Sequence, residues 1–146
     1  MLWKKILVAV DFSPCSRDAL RVAARLAAES SAALAVAYAW TPPVVFAGET
    51  IGLPAGLLTD LIATAQRELA TWKFEAEGYG AKNVTAEFLT GAAWHEVVSL
   101  AKHDHDIGLI VTGTHGRTGI KHAFLGSIAE KIVRHAPCAV MVVPSM

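Results

Sequence analysis

The sequence predicts an α/β fold in which an open parallel sheet is covered by helices on both faces. Short apolar runs of strand length alternate along the chain with stretches of helical periodicity. These runs are nearly continuous, as expected for parallel strands that are buried on both sides. None of them reaches the roughly 18–20 residues of a membrane span. The alternation therefore predicts one sheet between two layers of helices.

The first strand and helix are marked by a sharp change in composition. Lys5 to Val10 is a β-rich apolar run that ends at Asp11. Ser13 followed by Pro14 is a helix-start signal, and Ser16 is an alternative N-cap. Small apolar residues then recur at helical spacing. We therefore predict a strand that leads directly into a helix.

The second strand and the second helix are separated by the least regular segment. Ala33 to Trp40 is apolar, and residues 41–56 then hold three prolines and three glycines. A loop of this length in a compact domain is often functional, so we interpret it as a candidate lid. A helical stripe follows from Leu58 to Trp72, and this helix should end near Gly78.

The second half of the chain continues the alternation of strands and helices. Val84 to Leu89 alternates like a strand with two different faces, and a shorter helix is predicted at about 93–102. A strand at 107–112 and a helix from about Ser127 to His135 come next. The last strand is Ala139 to Val143.

Composition and charge exclude several classes of function. Lys+Arg and Asp+Glu number 13 each, so no charge excess argues for a nucleic acid or an anionic membrane as partner. Two cysteines, Cys15 and Cys138, make neither a disulfide framework nor a metal cluster. The apolar start ends at Asp11, which is too short for a signal peptide, and we expect a cytoplasmic protein. The 146 residues fit one domain, 1–146.

The segment that carries most chemistry lies between the fourth strand and the last helix. Gly113-Thr-His-Gly116 is followed, after nine residues, by Gly126-Ser127. Glycines let backbone N–H groups approach an anion and permit positive φ, and a helix N-terminus adds N–H groups and a favourable dipole. The pattern predicts a phosphate site. The alternative is a tight turn with an ordinary helix cap, because Ser127 and Glu130 also form a capping box.

Other polar residues accompany this segment. Asp11 would accept from an adenine amino group or ribose hydroxyls, or would cap the first helix. His115 would donate to a phosphate or merely occupy a turn. Arg117, Lys121 and His122 either approach a polyphosphate or form a solvated loop. If the first and fourth strands are neighbours, Asp11 and the glycine loop frame one crevice at the carboxyl ends of the strands.

The loop lacks the signatures of two familiar phosphate sites. No Gly-Lys-Ser/Thr follows the glycines, and no G-x-G-x-x-G follows the first strand. The run from His103 to Asp106 alternates histidine with aspartate, but neither helix nor strand geometry would direct all four side chains at one ion. Without a positioned metal, a base and cationic stabilisers, we predict no catalytic residue.

Three segments together resemble the universal stress protein family. They are residues 11–16, 113–119 and 125–138 with the valine-rich tail. The G-2x-G-9x-G-S/T pattern is fairly specific to the nucleotide-binding branch of that family. The resemblance implies a Rossmann-like, adenine nucleotide alpha hydrolase-like fold with a five-stranded parallel sheet in order 3-2-1-4-5. It also implies bound ATP, ADP or AMP, with or without Mg, and a homodimer.

The resemblance also implies which residues hold the nucleotide. Asp11 would contact the adenine or ribose with Val10 beside it, and the Ala39 backbone would bear on the base. Trp40 departs from the family pattern and would reshape the base pocket. The ribose and phosphates would be held by Gly113, His115 and Gly116, and the phosphate tail by Gly126, Ser127, Ile128 and Ala129.

These patterns favour a nucleotide-dependent binding or signalling module of the stress response, with at most slow ATP hydrolysis. One alternative is an ATPase or nucleotidyl-transferring enzyme on the same fold, and another is a dimeric scaffold that does not bind nucleotide.

The homodimer has a physical argument of its own. The last strand, Ala139 to Val143, is apolar on both faces, and pairing with its twofold mate would cover its exposed edge.

Overall fold

Strands and helices alternate through the computed structural model of the chain, which describes residues 2–42, 54–116 and 124–146. In chain order the elements are β1 (Lys5–Val10), α1 (Pro14–Ser30), β2 (Ala33–Trp40), α2 (Ala55–Gly78), β3 (Val84–Thr90), α3 (Ala93–His103), β4 (Ile107–Gly113), α4 (Ser127–His135) and β5 (Ala139–Val143). All strand pairs are parallel, and their order is β3-β2-β1-β4-β5. The predicted sheet and its strand order are confirmed.

Two predictions about loops fall on residues that the structure does not describe. The candidate lid at 41–56 lies largely outside the described residues, which resume at Pro54. Arg117, Lys121 and His122 also lie outside them. Both predictions therefore stay predictions.

The turn between β1 and α1 is held by two serines. Ser13 is the N-cap of α1, and its hydroxyl accepts from the Ser16 N–H at 3.2 Å. Ser16 is not the cap: its hydroxyl donates to the Ser13 carbonyl at 3.1 Å and accepts from the Asp11 N–H at 3.2 Å. Pro14 follows the cap, where its missing N–H costs nothing. The turn thus fixes Asp11 relative to the start of α1.

Each face of the sheet buries its own apolar core. Alternate strand residues such as Val8 and Val36 pack against α1 and α2 on one face. Leu7 and Ala37 belong to the opposite face, where residues of α3 and α4 cover the sheet. This two-sided burial explains why the strands read as continuous apolar runs. Among the described helices, none is long and apolar enough to cross a membrane.

Candidate nucleotide-binding site

The carboxyl ends of β1 and β4 meet at the same edge of the sheet. These two strands are hydrogen-bonded neighbours, which confirms the condition for a shared crevice. The Asp11 Oδ1 atom accepts from the Ser13 N–H at 3.0 Å. The Oδ2 atom faces the glycine loop, since a Cβ added at Gly116 would lie 2.8 Å from it. We call the space bounded by Asp11, residues 113–116 and the first turn of α4 the nucleotide crevice.

Thr114 connects the end of β4 to the end of β5 and to the start of α4. Its N–H donates to the Val143 carbonyl at 3.1 Å, which ties the end of β4 to the end of β5. Its carbonyl accepts from the Gly126 N–H at 2.7 Å, which brings the start of α4 to the same point. No motif in the sequence marks Thr114 as a site residue. Its role depends on contacts that no local pattern reveals.

The glycines of the loop are needed for close packing within the protein. A Cβ added at Gly113 would lie 2.8 Å from the Cys15 Sγ atom, and one at Gly126 would lie 2.7 Å from the Thr114 carbonyl oxygen. Positive φ is not the reason, because the described glycines with positive φ are Gly80 and Gly91. At Gly113, Gly116 and Gly126, glycine is therefore required for close approach and not for a left-handed backbone.

The predicted capping box at the start of α4 is also wrong. Gly126 is the N-cap, and Ser127 is the first helical residue. Among the residues that the structure describes, no side chain caps this helix. The Glu130 carboxylate does not reach back to the cap but accepts from Arg134 one turn later. The hydrogen bond from Gly126 to Thr114 shifts the helix start by one residue relative to the pattern S-x-x-E.

The uncapped start of α4 presents backbone donors to the crevice. Glu130 donates its N–H to the Gly126 carbonyl at 2.9 Å. The N–H groups of Ser127, Ile128 and Ala129 have no hydrogen-bond partner among residues 2–42, 54–116 and 124–146. A helix N-terminus with unpaired N–H groups and a positive dipole end favours an anion. The Ser127 side chain is exposed and available to the same ligand.

His115 adds a buried nitrogen to this site. Its Nδ1 atom lies 2.9 Å from the Thr114 hydroxyl oxygen. Its Nε2 atom is buried and has no hydrogen-bond partner within the described part of the chain. Buried polar atoms in native proteins are nearly always paired, so an unpaired one at a candidate site indicates a missing ligand atom. A phosphate or ribose oxygen would satisfy it.

The residues predicted to surround the base are distributed over two faces of the sheet. Val10 pairs with Tyr38 in register, so Asp11, directly after β1, follows this pair on the same side as Ala39 of β2. Val10 itself is buried in the α1–α2 core, so its backbone rather than its side chain is available near Asp11. Trp40 alternates to the face opposite Ala39, which does not favour its predicted effect on the base pocket.

The two cysteines are packing groups. Cys15 is buried beneath the loop, with Sγ 3.7 Å from the Thr114 hydroxyl and 3.8 Å from the Val143 carbonyl oxygen. Cys138 is partly buried, and this burial raises the pKa of its thiol above the ordinary value of 9.0. A thiol with a raised pKa stays protonated and is a weak nucleophile.

The aspartates of the His103–Asp106 run form ion pairs with lysines of the N-terminal segment. Lys5 Nζ donates to Asp104 Oδ2 at 2.6 Å, and Lys4 Nζ lies 3.5 Å from Asp106 Oδ1. The Lys5 pair joins the turn before β4 to the start of β1. The run therefore has a structural role at the end of the sheet opposite the crevice.

Asp104→Asn should lower stability at neutral pH by about 1 kcal/mol or less, or about 2–4 °C in Tm. The hydrogen bond from Lys5 holds the pKa of Asp104 below its ordinary value of 3.8. A carboxyl whose pKa is lower in the folded state stabilises the fold at pH values above its unfolded-state pKa. This stabilisation is lost as the pH falls through the folded-state pKa. The Tm difference between parent and variant should therefore shrink below about pH 4. Asp106→Asn, at a more exposed pair, is the control, and a Tm difference that is constant with pH would contradict the assignment.

The chain is similar in sequence to universal stress proteins. The sequence profile of the Universal stress protein family matches residues 2–144. Universal stress protein MJ0531 of Methanocaldococcus jannaschii is 35% identical over 147 residues, which cover 97% of this chain and 82% of that protein. Universal stress protein YxiE of Bacillus subtilis is 30% identical, with 97% and 99% coverage.

Solved structures of the same family share this fold. Universal stress protein UspA from Lactobacillus plantarum superimposes with a TM-score of 0.86 at 26% identity, covering 98% of this chain and 99% of that one. A universal stress protein in complex with cAMP has a TM-score of 0.77 at 24% identity, and the match covers 100% of both chains. A universal stress protein from Archaeoglobus fulgidus in complex with dAMP has a TM-score of 0.69 at 22% identity, with 98% and 99% coverage.

Proposed function

The chain belongs to the universal stress protein family, and from this premise we propose that it binds an adenine nucleotide in the nucleotide crevice. The ligand is ATP, or the related ADP or AMP. Residues 1–146 act as one universal stress protein domain, a cytoplasmic binding or signalling module whose conformation or partners depend on nucleotide occupancy. The observation that carries this proposal is the uncapped first turn of α4, which directs unpaired N–H groups into the crevice.

The charges of the crevice assign an orientation to the nucleotide. The Asp11 carboxylate would repel phosphates, so the ribose hydroxyls or the adenine amino group lie against it. The Ala39 backbone, one strand away on the same face, borders the base, and the Val10 backbone lies beside Asp11. The phosphates then extend to the start of α4. There they meet the N–H groups of Ser127, Ile128 and Ala129 and the Ser127 hydroxyl.

The glycine loop lines the crevice between Asp11 and the start of α4. His115 Nε2 is the buried atom that a ribose or phosphate oxygen would satisfy. Gly113 and Gly116 let the loop backbone pack close to Cys15 and Asp11, which fixes its position beside the ligand. Gly126 sets the start of the phosphate-binding turn. Mg²⁺, when it accompanies ATP, would neutralise phosphate charge and be held mainly by the phosphates themselves.

Structures of the same fold support the choice of an adenine nucleotide. Two proteins with this sheet were solved with cAMP and with dAMP. At 24% and 22% identity these structures show a shared fold, so the proposal for this chain depends on its own crevice. The sheet is thus compatible with an adenine nucleotide, and the polar atoms described above supply the contacts.

Hydrolysis of the nucleotide should be slow. The sequence has no Walker lysine after the glycines. In the proposed orientation, the Asp11 carboxylate lies at the ribose end and not at a terminal phosphate. Enzymes typically reach about 1–1000 turnovers per second, and steady-state turnover of Mg-ATP far below that range would favour the binding module over an ATPase. Turnover within that range would favour the enzyme.

The homodimer forms through β5. This strand lies at the edge of the sheet and pairs with β4 on its inner side. Its residues Val140, Met141 and Val142 are only partly buried in the single chain. An exposed edge strand of this kind is prone to association unless it is covered. Antiparallel pairing with the same strand of a second copy would cover it symmetrically.

Ser127→Ala should weaken ATP binding roughly tenfold. The hydroxyl makes no hydrogen bond within the described chain and does not cap α4, so its removal leaves the fold unchanged. A hydrogen bond to a charged group contributes about 1.5–3 kcal/mol, which corresponds to a tenfold loss or more. Isothermal titration calorimetry with ATP measures the effect, and thermal melts check the fold.

The matched control is Ser145→Ala, at an exposed serine near the C-terminus. It should bind ATP like the parent. Equal affinity of Ser127→Ala and the parent would contradict a phosphate contact at this hydroxyl. No ATP binding by the parent, with the fold intact, would favour the non-binding dimeric scaffold instead.

A further inference from the structure

A second concave site lies between α3 and α4, away from the residues proposed to hold the nucleotide. It has a volume of about 190 Å³. Its walls are formed by Trp94, His95, Val98, Ser99, Lys102 and His135. We call this space the α3–α4 groove. None of its lining residues belongs to the nucleotide crevice.

One wall of the α3–α4 groove is aromatic. The ring centroids of Trp94 and His135 are 5.1 Å apart with an interplanar angle of 34°. The His95 ring meets Trp94 edge-on at 5.5 Å and 89°. Val98, which is 3% exposed, adds apolar surface. The rings form an aromatic surface against which a flat ring can pack.

The charges at the groove favour an anion. Lys102 lines it, and Lys131 Nζ lies 5.6 Å from the centroid of the Trp94 ring. No aspartate or glutamate is among the lining residues. Of the nearby acids, Glu96 is 3.1 Å from His95 Nδ1, and Glu130 is paired with Arg134. No carboxylate in the described part of the chain forms an ion pair with Lys102 or Lys131, so both charges are available to an anion.

We propose that the α3–α4 groove binds a small planar aromatic carboxylate. The ring packs against Trp94 and His135, and the carboxylate pairs with Lys102. An apolar cavity of about 150 Å³ accommodates benzene, so this volume fits a single ring with one carboxylate. Lys131, above the indole, adds to the attraction. The site is independent of the nucleotide and of the proposed function.

Benzoate is the probe, and NMR of the indole N–H groups is the measurement. The chain has four tryptophans, and the loss of one signal in Trp94→Phe assigns the resonance of Trp94. Benzoate should shift that signal in a saturable manner. Acetate, which lacks the ring, and benzyl alcohol, which lacks the charge, should each bind at least about fivefold more weakly, since either contact is worth about 1 kcal/mol.

Two variants test the role of the lysine. Lys102→Gln should weaken benzoate binding by roughly two- to fivefold, while Lys82→Gln, at an exposed lysine before β3, should not change it. Saturating ATP should leave benzoate affinity unchanged. No saturable shift of Trp94, equal affinity for benzyl alcohol, an unaffected Lys102→Gln, or competition with ATP would each overturn the proposal. These results do not depend on whether ATP binds.

Discussion

Gly126→Ala should weaken ATP binding roughly 100-fold, more than the addition of a methyl group at any other glycine of the nucleotide crevice. The added methyl group would lie 2.7 Å from the Thr114 carbonyl oxygen, closer than real Cβ atoms approach. That oxygen belongs to the backbone, which is tied to β5 through the Thr114 N–H, and so it cannot move aside easily. The start of α4 must therefore move instead.

This movement displaces all the proposed phosphate donors together. The N–H groups of Ser127, Ile128 and Ala129 follow Gly126 directly, so a shift of the cap misaligns each of them. A charge-assisted hydrogen bond contributes about 1.5–3 kcal/mol, and the loss of about two such bonds corresponds to roughly 100-fold in affinity. Calorimetry with ATP measures the loss.

The control for this variant is Gly56→Ala. Gly56 lies in the first turn of α2, and a Cβ added there meets nothing within 4 Å. It should bind ATP like the parent and melt at the same or a slightly higher temperature, because alanine favours a helix over glycine. Parent-like ATP affinity in Gly126→Ala would contradict the geometry of the crevice. A collapse of its thermal stability would instead identify Gly126 as a folding residue, which circular dichroism would reveal.

The ends of the strands could be predicted because the sequence marks them locally. Lys5–Val10, Ala33–Trp40 and Ala139–Val143 are apolar runs that end before Asp11, Thr41-Pro42 and Pro144, and the structure has the same bounds. The start of α2 was less clear. The predicted stripe begins at Leu58, whereas the helix begins at Ala55, because the exposed Gly56 and Leu57 lie outside the apolar stripe.

The details of the crevice depend on contacts between distant parts of the chain. The capping-box pattern at Ser127 is a valid local signal, but the hydrogen bond between Gly126 and Thr114 decides where α4 begins. Cys15 touches Thr114, 99 positions away, and its contact with Gly113 explains that glycine better than a ligand does. No local sequence pattern encodes contacts between residues that lie this far apart along the chain. The same limit applies to the buried nitrogen of His115.

The edge of β5 offers a direct test of the proposed homodimer. The Val143 carbonyl accepts from Thr114 N–H, so Val143 directs its backbone groups toward β4. In a strand the N–H and C=O groups of successive residues point to opposite sides. Val142 therefore directs its N–H outward, to the open edge. A proline at this position removes a donor that the single chain does not use, and prolines are tolerated at such edge positions.

Val142→Pro should convert the dimer into a monomer, with a rise of roughly 100-fold in the dissociation constant. Twofold symmetry removes the donor from both copies, and each loss also leaves a carbonyl of the partner strand unpaired, at about 1–3 kcal/mol each. Val142→Thr keeps the N–H and the β-branched shape, so it should remain dimeric. Size-exclusion chromatography with light scattering at micromolar concentration distinguishes the two states. A monomeric parent would exclude the dimer, and a dimeric Val142→Pro would place the interface on a surface other than the β5 edge.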